Sequence, residues 1–379
     1  MPEDIRKNRL LVISDTAVCR QGNETLAFEP VVRELSALKG NFSEIIWLGC
    51  KVHEDATALK AVDSKKIRVI VMPSVSHKSL NALRVLLAYP AFVFYILRYL
   101  PSATHVHTRA PSHPALLGIL LSFLDRKRIY WHKYAGDWVS PDAPYTYRLQ
   151  RQWLNALRFK NIRVTVNGSW KNAPAHVFAF ENPCITEAER KYASLAASSK
   201  DFSSSLSLLF VGNINANKGI TNLLTAIREH RLDSRFTDLY IVGSGPLLGE
   251  VKRNVIEIDS IRIHIAGHIS RQLIDQYYKK CHLLMLPSQS EGFPKVIAEA
   301  AAYGCIPVVT DISAISQYIT DGSNGFLLRD NRPDTIAQKL SSIALNKELS
   351  AVSKNAILFT EKFTYEHFTE RIQTEIYTQ

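Results

Sequence analysis

Two carboxylates, Glu291 and Glu299, stand eight residues apart in the stretch LLMLPSQSEGFPKVIAEAAAYGCIPVV, residues 283–309. On one helix, eight residues advance about 12 Å and turn roughly 800°, which brings both acids nearly onto one face. About 12 Å is also the approximate span from a nucleotide's ribose, across a diphosphate, to an attached sugar. Between the acids, the unpaired amides of a helix N-terminus suit phosphate oxygens. One carboxylate can then accept hydrogen bonds from sugar hydroxyls and the other from ribose hydroxyls. A solvated surface helix carrying two unrelated acids is the plain alternative. The Gly292-Phe293-Pro294 turn, directly after a buried strand, weighs against it.

The elements that must position these acids follow from the same stretch. Leu283 to Leu286 is a short apolar run ended by Pro287 and Ser288, which reads as a buried strand and its exit. Ser290 is placed to cap a helix, with Pro294 near its first turn and good helix formers up to Ala302. Gly304 closes that helix, and Ile306 to Val309 begins a second strand. The segment EGFPKVIAEAAAYGCIPVV resembles the E-x7-E signature of family-4 glycosyltransferases, retaining enzymes of the GT-B fold. The resemblance implies an α/β molecule of two Rossmann-like, doubly wound domains facing across a cleft.

A chain of 379 residues exceeds the usual size of a single core, so two domains are expected on length alone. Hydrophobic residues at 46% and charged residues at 21% place it among ordinary soluble globular proteins. Its five cysteines are odd in number, scattered and without a C-x-x-C, so they read as reduced core residues of a cytoplasmic protein. The polar start runs straight into a strand-like segment, which predicts no signal peptide. The longest apolar stretch, Val85 to Leu97, has 13 residues, short of the roughly 20 a spanning helix needs. The net charge of +11 is uneven: residues 1–190 hold 26 Lys and Arg against 16 Asp and Glu, and the remainder holds 20 against 19. Such a basic first half favours a membrane surface, an anionic acceptor or nucleic acid. Without an aromatic-interleaved basic stripe or a zinc pattern, nucleic acid is the weakest of these and is not an expected partner.

Alternation of strands (9–14, 44–48, 67–72) with helical segments (25–39 among them) argues for a doubly wound parallel sheet in residues 1–185. The loop after its first strand holds Gly22 and Asn23, candidate walls of an acceptor site. Lys78 to Leu100 is amphipathic, with a face rich in Leu, Phe and Tyr, and reads either as an interfacial helix or as a core helix kinked at Pro90. The segments HVHTRAP (105–111) and RIYWHKYAGDW (128–138) run from strands into loops. By the family resemblance, His132 and Asp137 line the cleft with Arg109 behind them. Residues 186–204, rich in Ala, Ser and Lys, read as an interdomain linker.

The second domain, residues 205–358, opens with the strand LSLLFV and the loop GNINANKGI. A strand running into Gly212, Asn213 and Lys218-Gly219, then a helix, is a plausible phosphate site with Lys218 as a point charge. Family members usually carry a basic residue where this chain has Asn213, which leaves one cation instead of two. Gly243-Ser244-Gly245-Pro246, with Gly249 beyond, resembles a dinucleotide fingerprint and supports a rival reading, an NAD-dependent oxidoreductase. Gly267, His268 and Ile269 follow another strand, where the family holds the nucleotide base with backbone groups. A final helix, roughly Tyr365 to Tyr377 within 359–379, resembles the GT-B segment that crosses back onto the first domain.

The resemblance thus implies a retaining transferase that moves a sugar from a UDP- or GDP-linked donor to a saccharide or lipid-linked acceptor in polysaccharide or glycolipid assembly. Lys218 and the 292–295 backbone, Lys295 included, would hold the diphosphate. Glu291, Gly292, Phe293 and Pro294 would face the sugar, and Glu299 the ribose. No D-x-D occurs, so neither a metal nor another cofactor is expected. The expected location is cytoplasmic, with peripheral contact to an anionic membrane.

Overall fold

The computed structural model describes residues 8–52, 59–74, 82–141, 143–230 and 232–377. The chain divides into two compact units, Met1–Phe180 with Phe368–Gln379, and Glu181–His367.

In the first unit, seven parallel strands run in the spatial order Ile67–Met72, Glu44–Lys51, Arg9–Gln21, His105–Ala110, Ile129–Tyr134, Ile162–Val166, Val177–Ala179. The first strand shows why both faces must be covered: Leu11 and Ile13 join one apolar layer, and Leu10 and Val12 the other. That strand is longer than expected and turns back as an antiparallel hairpin onto Glu24–Phe28, with Gln21 paired to Glu24. Gly22-Asn23 is therefore a two-residue β-turn, not an open loop, and the following helix starts only at Glu29. The terminal helix Tyr365–Arg371 and its π-helical continuation Ile372–Ile376 bring Phe368, Ile372 and Ile376 into the layer beneath Leu10 and Val12.

The helix Ala82–Tyr99 buries Ala88, Phe92 and Ile96, spaced by four, against this sheet. Leu86, Leu87, Phe94 and Leu97 on its other side are more than half exposed. It has 18 residues, and the window Val85–Ser102 is apolar enough by length and composition to cross a membrane, which the 13-residue count had excluded. Residues 78–81 of the amphipathic segment lie outside the described residues.

The second unit has six parallel strands in the order Arg262–Gly267, Phe236–Val242, Leu206–Val211, Leu283–Leu286, Ile306–Thr310, Phe326–Leu328. In chain order this is 3-2-1-4-5-6, the arrangement of a dinucleotide-binding sheet. Ile220, Leu223, Leu224 and Ile227 of the helix Ile220–Glu229 supply the buried stripe that covers one face. The stretch expected as a linker instead contains the helix Glu187–Ala197, started by a reciprocal capping box between Thr186 and Glu189. The pattern Thr-x-x-Glu at 186–189 is its sequence signal.

Candidate functional site

In a 3-2-1-4-5-6 sheet, the strand order reverses between the first and fourth strands, and ligands bind beyond their carboxyl ends. Here those strands are Leu206–Val211 and Leu283–Leu286. The loop after the first carries Gly212, Asn213 and Lys218, and the loop after the fourth carries Glu291 to Pro294. The two loops meet: the Lys218 ammonium bonds Glu291 Oε1, the Gln289 amide donates to the Asn217 carbonyl at 2.8 Å, and Asn217 Nδ2 donates to the Ser290 carbonyl at 2.8 Å. Asn215 holds Lys218 in place by accepting its amide at 3.1 Å. Only glycine fits at Gly219, where φ is +69° and a Cβ would overlap the Pro287 carbonyl.

The loops after the second and third strands join the same edge. The Gly212 amide donates to Val242, and the Gly243 amide donates to Gly267 at 2.7 Å. Gly243 abuts the Gly212 carbonyl so closely that a Cβ there would collide with it, at φ +145°. Gly245 sits against Asn213 and Ile214. These glycines are therefore required by loop-to-loop packing after the second strand, whereas a dinucleotide fingerprint belongs after the first. Beyond Gly267, His268 is exposed and Ile269 packs on the core.

The helix bearing Glu299 is shorter than expected. It runs Lys295–Ala302 with Pro294 at its N-cap, so Glu291 lies in the loop and the eight-residue helical span does not apply. The cause is Pro294, which disfavours helical geometry at Phe293. Phe293 points inward, stacked on the Phe363 ring at 4.7 Å, and can offer only its backbone to a ligand. Of the first-turn amides of this helix, that of Ile297 donates to the Pro294 carbonyl at 3.1 Å, while those of Lys295 and Val296 have no intrahelical acceptor. At the other end, Gly304 and Cys305 donate to Ala301 and Ala300, the Schellman closure expected there.

Glu299 has partners the spacing did not reveal. Arg271, opening the helix Arg271–Lys280, donates to its Oε1 at 2.6 Å, and the Tyr278 hydroxyl to its Oε2 at 3.3 Å. Burial opposes the charge on Arg271, but the carboxylate outweighs it and raises the guanidinium pKa. Burial, reinforced by the same carboxylate, holds the Tyr278 phenol well above its ordinary value. A cation opening the helix after Gly267-His268-Ile269 was the available signal.

In the first unit the candidates do not converge in the same way. His132 is fully buried: its Nδ1 bonds Thr108 Oγ1 at 2.7 Å, and its Nε2 bonds Ser122 Oγ at 3.2 Å. Burial lowers its pKa to about 3. With both nitrogens occupied inside the fold, it is a structural residue and not a proton acceptor for substrate. Arg109 is bound to Glu34 at 2.7 Å, and Lys133 reaches the same carboxylate at 2.8 Å. Glu34 was missed, although it interrupts the apolar face Val31, Val32, Leu35. Asp137 is half-buried, and its Oδ1 accepts the Val139 and Ser140 amides, fixing the turn after the strand. Gly22 and Asn23 form the hairpin tip described above.

Residues 196–358 match the family model of glycosyl transferases group 1. An uncharacterized glycosyltransferase of Methanocaldococcus jannaschii is 30% identical over 159 residues, covering 42% of this chain and 44% of the relative. The lipopolysaccharide 1,2-N-acetylglucosaminetransferase of Salmonella typhimurium is 28% identical over 182 residues, covering 45% of this chain and 47% of that protein. The matches thus span less than half the length of these curated relatives. Among solved structures, Anabaena HepE in complex with UDP and glucose is similar over 97% of this chain and 98% of its own, with a TM-score of 0.67 and 16% identity. The molecule has the GT-B fold, and its segment 196–358 matches the model of the glycosyl transferases group 1.

Proposed function

We propose that the protein is a retaining glycosyltransferase of family 4, transferring a sugar from a UDP- or GDP-linked donor to a saccharide or lipid-linked saccharide. The observation that carries this reading is the Lys218–Glu291 pair at the strand-order reversal of the second sheet. On binding, the donor diphosphate competes with Glu291 for Lys218 and takes the amides at the start of the helix Lys295–Ala302. Glu291, released, accepts from the sugar hydroxyls, and Glu299, aimed by Arg271, accepts from the ribose. The bond between the anomeric carbon and the diphosphate oxygen breaks, and the acceptor oxygen bonds that carbon on the same face. The acceptor's proton passes to the leaving diphosphate. Stabilising charge on that diphosphate is the protein's main task, so the reaction runs without a metal and survives EDTA.

The UDP and glucose bound by HepE, and the lipopolysaccharide acceptor in the name of the Salmonella relative, support a nucleotide-sugar donor and a saccharide acceptor. The exposed Leu86, Leu87, Phe94 and Leu97, on a half of the chain that holds nearly all the net positive charge, support peripheral binding to the cytoplasmic face of an anionic membrane. The oxidoreductase reading gains nothing from the comparisons. Thermal stabilisation by a panel of UDP, GDP, their sugar conjugates and NAD tests the proposal. A ligand at about 100 times its dissociation constant adds roughly 2.7 kcal/mol, enough to read as a shift of several degrees. Stabilisation by NAD alone would overturn it.

A further inference from the structure

Substrates of α/β sheets bind at the carboxyl ends of strands, but the first unit also has a cavity at the opposite, amino ends. The segments entering the neighbouring parallel strands Ile129–Tyr134, Ile162–Val166 and Val177–Ala179 enclose about 900 Å³. Six cations line it: Arg126, Lys127, Arg128, Arg158, Lys160 and Arg163. The one lining carboxylate, Glu375, is already bonded by Arg371 at 2.6 and 2.9 Å. Of the six, only Arg128 has a carboxylate partner among the described residues, Asp125 at 2.6 Å.

Two of the uncompensated arginines are nonetheless held in place. The Arg126 guanidinium lies over the Phe159 ring and donates to the Ser122 carbonyl at 3.0 Å. That of Arg163 donates to the carbonyls of Lys160 and Ile162 at 2.6 and 3.1 Å. Anchoring through neutral carbonyls fixes the forks while leaving their charge unspent, which lowers the ordering cost of a ligand. His176 in the same wall has its pKa lowered by burial first, then by Arg158 and Arg163. So many like charges repel one another, and an anion relieves that repulsion. Guanidinium forks and ammonium groups around a cavity of ligand size match phosphate oxygens.

We propose that this cavity is a binding site for a phosphate-bearing anion. It does not rest on the transferase reading. Such an anion comes either from a soluble phosphate compound or from a phospholipid headgroup. The second source is within reach, because Arg128 Nε donates to the Leu100 and Ala103 carbonyls beyond the apolar helix Ala82–Tyr99. Leu124, beside the cavity's first wall, is 83% exposed.

The test uses the full chain in a Lys218→Ala background, which removes the donor-site cation. Inorganic pyrophosphate is titrated by calorimetry, and flotation is measured with phosphatidylcholine vesicles with and without phosphatidylglycerol. Arg158→Glu with Lys160→Glu, and separately Lys127→Glu, alter exposed cavity residues; Arg20→Glu with Lys51→Glu is the charge-matched control at exposed positions elsewhere on this unit. Pyrophosphate binding weakened at least tenfold by both cavity variants, and kept by the control, supports the site with a soluble ligand. The same pattern in flotation alone supports it with a lipid headgroup. Binding of neither probe, or equal losses in cavity and control variants, overturns it.

Discussion

Two ion-paired glutamates, one in each unit, lie near the carboxyl ends of parallel strands and differ in exposure and in the number of cations they face. Glu291 keeps 14% of its side chain exposed and faces one lysine, while Glu34 is fully buried between Arg109 and Lys133. A partly exposed pair can be opened by a ligand that brings its own charge. A buried pair has already lost its water, and removing one partner leaves charge with no compensation. The first arrangement is therefore suited to binding, and the second to holding a helix onto a sheet.

Breaking the buried pair should have the largest effect. Glu34→Ala strands two cations, and urea unfolding followed by tryptophan fluorescence should show a loss of about 3–5 kcal/mol. All five tryptophans (Trp47, Trp131, Trp138, Trp153, Trp170) belong to the first unit, so the probe reports that unit alone. A loss below about 1 kcal/mol would place Glu34 among ordinary surface pairs. Lys218→Ala, in the second unit, should do the reverse, leaving the urea midpoint read by far-ultraviolet circular dichroism in place while lowering kcat by about 10²–10³-fold, the effect of removing one group that stabilises developing charge. Unchanged turnover would dissociate the exposed pair from the chemistry.

Acid should separate the units next. Burial lowers His132 to about 3, His105 to about 4 and His107 well below its usual value in the first unit, against His282 at about 4 in the second. Above pH ~6.5 these rings are neutral folded or unfolded, and stability is at its plateau. As pH falls, the unfolded chain takes up protons that the folded state refuses. Each ring then removes about 1.4 kcal/mol per pH unit until its folded pKa is reached. The tryptophan signal should thus be lost on acidification, with a shallower dependence in His132→Gln; an unchanged slope would refute the assignment. The smallest effect should come from Arg271→Ala, which leaves Glu299 present but unaimed. Donor KM should rise about tenfold through loss of a charged hydrogen bond, with kcat within about twofold. A fall in kcat alone would instead move Arg271 into the transition state.

Legibility in the sequence followed the same division. The second sheet was readable because its strands are short apolar runs bounded by glycine or proline, so Leu206–Val211 and Leu283–Leu286 appear at their predicted limits. Lys218 and Glu291 were singled out on opposite sides of 72 intervening residues, and the sheet order brings them together. In the first unit, Gly22-Asn23 between alternating residues was a hairpin signal read as a loop, and in the second unit Thr186-x-x-Glu189 was a capping box read as a linker. Those were present and overlooked. The burial of His132 was not legible at all, since Thr108 and Ser122 reach it from another strand and a helix.

By itself, the sequence determined which segments are strands, where glycine must stand, and which loops carry charge, because these depend on local geometry and on period-two burial. Only the tertiary structure decided which charges are spent. Glu34 and Glu291 are both glutamates near apolar segments, and nothing local separates them. Neighbouring elements exclude water from one and leave the other in reach of it, and burial sets the cost of taking a partner away.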